Sequence, residues 1–166
     1  MNTIAKELLV GFDEEMASTR KTLARVPFDK PDWKPHEKSM AIARLAAHVA
    51  TLPKMATSVV KKDSVDVSTE FKMPEFNSAE ELAAAFDTLA KEAREAIESA
   101  SDEHLVATWT LMAGEKKIFS VSRDHALRVF MMNHLIHHRA QLGVYLRLND
   151  VPVPGLYGPS ADEKGL

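Results

Sequence analysis

Three of the seven histidines, His134, His137 and His138, fall within five consecutive positions. On a helix each residue turns about 100°, so His138 stands about 40° from His134 one turn on, whereas His137 stands about 60° to the other side. His134 and His138 therefore make the natural metal-binding pair, on a stripe shared with Leu127, Phe130 or Met131, Gln141 and Tyr145. A third candidate is His48, flanked along its own helical face by Leu45 and Leu52. A histidine on an apolar face must be hydrogen-bonded or ligating, because an unpaired buried polar group is costly. Spacing alone leaves both fates open, since imidazole has many partners besides metal. His36 sits among prolines, and His104 and His125 sit near helix starts. All three are expected in solvent and receive no role.

The chain has no cysteine, which excludes a disulfide scaffold, a thiolate zinc site, a cysteine-held iron–sulfur cluster and a cysteine nucleophile. Any metal must bind nitrogen or oxygen. A carboxylate-bridged di-iron centre needs Glu-x-x-His on two helices. The residues three before the histidines are Trp33, Leu45, Ser101, Ser122, Met131, His134 and Leu135, so that motif is absent. Three neutral imidazoles would leave a divalent ion its full charge and open positions, the catalytic type of site, which lowers the pKa of bound water or thiol and polarises oxygen. Zn, Ni, Co, Cu and Fe all suit such ligands. Hydrolysis by metal hydroxide would also need a proton shuttle, and no inward carboxylate presents itself.

The elements that must position these residues are helical. Ile4, Leu8, Phe12, Met16 and Leu23 draw one stripe from Ile4 to about Arg25. Pro27, Pro31 and Pro35 hold the next stretch extended, to about residue 38. A second helix is expected from about Ser39 to Lys62, bent at Pro53. Residues 63 to 77 read as a long connection. Ser78 and Glu81 then form a capping box before Leu82, Phe86, Leu89 and Ile97 of a third helix. From Leu105 to Phe119 the pattern loosens into a loop or weak hairpin around Gly114. Ser122 is a candidate N-cap for a fourth helix from about Arg123 to Leu148, and the proline-rich tail beyond Val151 cannot be helix. The fold class expected is all-α, a four-helix bundle with long loops in one domain, residues 1–166, with ligand sites built from inward side chains on facing helices.

Composition agrees with such a bundle. At 166 residues and 45% hydrophobic content one core is affordable, and two domains are not expected. The net charge of −3 and the absence of basic residues interleaved with aromatic ones exclude a nucleic-acid surface. No run approaches the roughly 18 apolar residues of a membrane span, and Leu8 to Phe12 followed by Asp13, Glu14 and Glu15 is no signal peptide, so a cytoplasmic protein is expected.

Two segments carry a resemblance to a known family. Asn133-His-Leu-Ile-His-His-Arg-Ala-Gln-Leu-Gly-Val-Tyr-Leu-Arg147, followed by Val153-Pro-Gly-Leu-Tyr-Gly-Pro-Ser-Ala-Asp-Glu163, resembles the C-terminal part of DinB-family proteins. Trp33-Lys-Pro-His-Glu-Lys-Ser-Met40, leading into Ala46-Ala-His48, does so as well. The resemblance implies a DinB/YfiT-like up-down-down-up four-helix bundle with one divalent metal ion on three histidines. The ligand positions fall on His48, His134 and His138, and His137 becomes a neighbour. It also implies a homodimer, to which the apolar residues left over on two long helices add, and a transferase or isomerase reaction on a small-molecule substrate with a thiol such as bacillithiol, mycothiol or glutathione. Without cysteine, the chain would have to take that thiol from solution. Metal-hydroxide hydrolysis and a non-catalytic, metal-stabilised stress-response module are the alternatives. Gln141 and Tyr145 are expected mainly to pack and bond solvent, Arg139 to form a salt bridge, and Trp33 and Trp109 to anchor core or loop.

Overall fold

A computed structural model of the chain describes residues 3–70 and 72–164, so the ends of the expected 1–166 domain and Phe71 lie outside the described residues. The structure is mostly helical. Helix α1 (Thr3–Leu23) buries Ala5, Leu8, Phe12, Met16 and Leu23 along the expected stripe. Its first turn is capped from a distance: the Asp102 carboxylate accepts the Thr3 and Ile4 amides, each at 3.0 Å, where a negative charge also suits the helix dipole.

The expected second helix is divided. Helix α2 (Ile42–Thr51) and helix α3 (Pro53–Lys61) meet at Leu52, which keeps right-handed helical angles. Pro53 has no amide to continue the ladder, and here it opens a new helix at the N1 position instead of bending one. Helix α4 (Ala79–Ser99) starts where the capping box places it. The Ser78 hydroxyl accepts the Glu81 amide at 3.2 Å, but the Glu81 carboxylate takes the amide of Asn77 at 2.9 Å rather than that of Ser78.

The all-α expectation is corrected by a three-stranded sheet. Helix α5 (Asp102–Val106) leads into strands β2 (Thr108–Ala113) and β3 (Lys116–Ser122), the hairpin that the alternation of Trp109 and Leu111 had hinted at. Gly114 takes φ +57 at the first of the two loop residues, a conformation glycine reaches without steric cost. Strand β1 (Ser64–Asp66), inside the expected connection, pairs in parallel with β2, giving the order β1-β2-β3. Buried Arg123 fastens the sheet to the helices, donating to the carbonyls of Val59 and Thr108.

The last helical stretch runs as expected from Arg123 to Leu148 but is not uniform. Between helix α6 (Arg123–Ala126) and helix α7 (His134–Leu148), residues Leu127–Asn133 form a π-helix, the wider i→i+5 winding often found beside functional sites. It delivers the chain to His134 with ordinary helical angles. Helix α4 packs on α1, α2 and α3, and α7 packs on α1 and α2. Leu8, Phe12, Ile42, Leu45, Leu82 and Leu135 lie between them with essentially no exposure. The tail returns over α7 and is pinned by ion pairs of Arg25 with Glu163 and Arg147 with Asp162.

Candidate metal centre

Helix α2 supplies His48 from its last turn, and α7 supplies His134 as its first residue and His138 one turn on. The three offer ligand nitrogens that all lie within 4.8 Å of one another, so together they could hold a metal ion. The Nε2 atoms of His48 and His134 are 3.2 Å apart. Two nitrogens bound tetrahedrally at zinc-like bond lengths sit about 3.3 Å apart, so this pair is already spaced for an ion. Ring centroids are separated by 5.0 Å for His48 and His134, 4.6 Å for His48 and His138, and 4.7 Å for His134 and His138.

Neighbours orient the rings. The His138 Nδ1 lies 2.8 Å from the Gln141 Oε1, which as an acceptor fixes the proton on Nδ1 and leaves Nε2 its lone pair. The His134 imidazole bonds the backbone of Phe130, inside the π-helix. Burial pushes the His48 imidazole down to about 4, helped by the positive fields of His138, His134 and Arg44. Burial also lowers His134 and His138, each with help from a histidine neighbour. No carboxylate stands among the groups that shift these three. All are therefore neutral at neutral pH, the state in which imidazole donates to a metal.

A pH dependence follows for the metal-free protein. The folded His48 titrates near 4, below its ordinary 6.5, so on acidification the unfolded chain binds protons first. Stability should be constant above about pH 6.5, fall through the window down to about 4, and level off below it as far as His48 is concerned. Thermal melts of chelated protein across that window should show a falling Tm, with a shallower slope in His48→Ala. Equal slopes in the two proteins would deny His48 its buried, neutral state.

His137 lies outside the cluster, exposed, with its Nε2 3.1 Å from the Gln141 Nε2. Gln141 thus bridges His137 and His138 through the two ends of one amide, a tighter engagement than the packing and solvent bonding expected of it. Tyr145 is buried, donates to the Met40 carbonyl at 3.2 Å and meets the Trp33 ring edge-on at 5.4 Å, so both serve as anchors. Trp109 is wholly buried, and Arg139 pairs with Glu15, as expected. His125 is exposed, whereas His104 is not simply solvated: its Nε2 lies 2.7 Å from the Val60 carbonyl and ties α5 to α3. His36 is exposed and accepts the Lys38 amide at 3.1 Å. Among the described residues no fourth histidine or carboxylate joins the cluster. On one side His138 and Gln141 open onto a cleft of about 450 Å³.

Comparison with known proteins gives one family. The family model described as the DinB family matches residues 1–164. The fold is similar to that of a DinB-like protein from Bacillus cereus ATCC 10987, with a TM-score of 0.70 and 21% identity over 92% of this chain and 97% of that one. It is similar also to a DinB-like protein from Bacillus subtilis, with a TM-score of 0.69 and 21% identity over 95% and 99% of the two chains. The uncharacterized protein YrdA of Bacillus subtilis strain 168 is 21% identical over 155 residues, covering 93% of this chain and 89% of YrdA.

Proposed function

The chain belongs to the DinB family, and from the convergence of His48, His134 and His138 we propose that it binds one divalent metal ion there and catalyses a transferase or isomerase reaction with a small diffusible thiol. The observation that carries the reading is the donor set: three neutral imidazoles with converging nitrogens, no fourth protein ligand among the described residues, and a cleft beside His138. Structural sites are closed by four protein ligands, whereas three ligands beside a cleft match the open, catalytic type. When bound, the ion would supply a positive charge that favours thiolate over thiol at neutral pH. His48, His134 and His138 would hold it, and Gln141 orients His138. The chain offers no sulfur nucleophile of its own, so the attacking sulfur belongs to the added thiol. With an epoxide its lone pair forms a carbon–sulfur bond as a carbon–oxygen bond breaks, and the proton the thiol gave up returns, through water, to the leaving oxygen. With an activated halide the carbon–halogen bond breaks instead, halide leaves, and the proton passes to water.

Elemental analysis of protein purified without a His tag, followed by epoxide and activated-halide assays with and without bacillithiol, mycothiol or glutathione, tests this reading. Turnover requiring both metal and thiol is expected. Metal-dependent cleavage of an ester or amide that ignores thiol would move the site to hydrolysis. Bound metal with neither activity would make the protein a metal-stabilised module.

We place the protein in solution as a homodimer within the cytoplasm. Val144 and Leu148, one turn apart on α7, are large apolar side chains left more than half exposed, at 58% and 55%, and a closed two-fold contact would cover them. Light scattering at micromolar concentration should give about 37 kDa, twice the chain mass of 18.4 kDa. A monomer at every concentration would remove the dimer.

A further inference from the structure

The segment Trp33 to Met40 supplies no metal ligand, yet Lys38, Ser39 and Met40 line the cleft that His138, Gln141 and Tyr145 also line. It is held in place along its length. At its start the Ile42 amide donates to the Trp33 carbonyl at 2.8 Å, and the Trp33 ring abuts Tyr145. At its end the Met40 carbonyl accepts the Tyr145 hydroxyl. In the middle His36 accepts the Lys38 amide on Nδ1 at 3.1 Å and the Ser39 amide on its carbonyl at 3.0 Å. A loop so tied is preorganised, so a ligand meeting it has little ordering to impose.

The charge in the cleft has one sign. Lys38 brings an ammonium, and among the described residues no carboxylate lines the cleft. Among the described residues Lys38 has no ion-pair partner, so its charge is not already neutralised by an acid. Arg44, one turn before His48 on α2, adds positive field at the imidazole cluster. In a chain with a net charge of −3, a cleft lined by an unpaired cation and no acid departs from the overall balance. Such a cleft concentrates anions.

We infer that the cleft beside His138 takes a small anionic substrate, for which a carboxylate serves as the probe, and that Lys38 is the residue that recognises it. The inference deepens the reading of the histidine cluster as a reactive centre and rests on it. Ser39 supplies a further polar residue along the wall, while Met40 and Tyr145 supply apolar surface, the mixture expected of a small-molecule site. His36, unassigned by spacing, becomes a positioning residue that sets Lys38 through its backbone.

The experiment is a titration with succinate, and with succinamide as its uncharged counterpart, followed by the emission of Trp33. Buried Trp109 serves as the internal constant, and Trp33→Phe identifies the responding ring. Protein as purified and protein after chelation are titrated in parallel. Succinate should bind about tenfold more tightly than succinamide in both, Lys38→Gln should lose about that factor, and Lys38→Glu should bind succinate more weakly than succinamide. Lys38 is exposed, so these variants should melt as the wild type does. Equal binding of the two probes, no binding of succinate, or a Lys38→Gln protein that binds as the wild type does would overturn the inference. The chelated arm reads the cleft alone and metal analysis reads the histidines alone, so failure of one is distinguishable from failure of the other.

Discussion

Replacement of His48, His134 or His138 by alanine should reduce bound metal from about one ion per chain to near zero, whereas His137→Ala should leave it in place. Each of the three contributes one nitrogen to a set in which, among the described residues, no further histidine or carboxylate joins, so a two-nitrogen remnant has nothing to recruit. Gln141→Ala should have an intermediate effect of about 10- to 100-fold in metal affinity, because it removes the acceptor that fixes the His138 proton without removing a ligand. Elemental analysis after dialysis against a weak chelator measures both. Thiol-dependent turnover should vanish in His134→Ala along with the metal, while circular dichroism shows the helices retained. Loss at His137 equal to that at His138 would mean that the ligand face of α7 had been assigned to the wrong side.

The shared face of His134 and His138 was legible because both histidines lie in one regular helix, where i, i+4 spacing translates directly into a shared face. His134 opens α7, so the π-helix before it does not disturb the angle between the two rings. Meeting His48 is a different matter. Its own face is readable from Leu45 and Leu52, which made it a third candidate, but the approach of α2 to α7 is a tertiary fact, and before the structure it was the family resemblance that assigned the three to one ion. The same division runs through the fold. The start of α4 was written locally in Ser78 and Glu81, yet the reciprocal arm of the box moved to Asn77, a choice that local pattern leaves open. Strand β1 escaped notice because three residues are too short to show alternation, and its pairing with β2 joins positions more than forty residues apart. The bonds of Gln141 to two histidines, and of His104 to Val60, depend likewise on where rings end up pointing.

The interior ion pair of Arg139 with Glu15 should be the most expensive single contact to break. Arg139 is 2% exposed, and its Nη1 lies 2.7 Å from the Glu15 carboxylate. Nη1 also faces the Thr19 hydroxyl at 3.2 Å, and Nη2 donates to the Tyr157 hydroxyl at 2.6 Å. That hydroxyl in turn donates a hydrogen bond to the Glu15 Oε1 at 2.7 Å, which closes a triangle that ties the tail to α1 and α7. Arg139→Ala removes the cation and leaves the Glu15 carboxylate, itself only 13% exposed, without its counter-charge. The expected loss of folding free energy is about 3–5 kcal/mol, read from urea denaturation. An ion pair taken out of water gains little over a well-packed apolar pair, so joint replacement of Arg139 and Glu15 by methionine should recover most of that loss. Tyr157→Phe, which deletes one hydroxyl and leaves the pair intact, should cost about 1 kcal/mol. The Arg139 side chain faces Glu15 and the tail, away from the imidazole of its neighbour His138. Folded Arg139→Ala protein should therefore still bind metal, which separates its damage from that of the histidine variants. A loss below about 1 kcal/mol in Arg139→Ala would show that water reaches the Glu15 carboxylate and that the triangle is a surface feature.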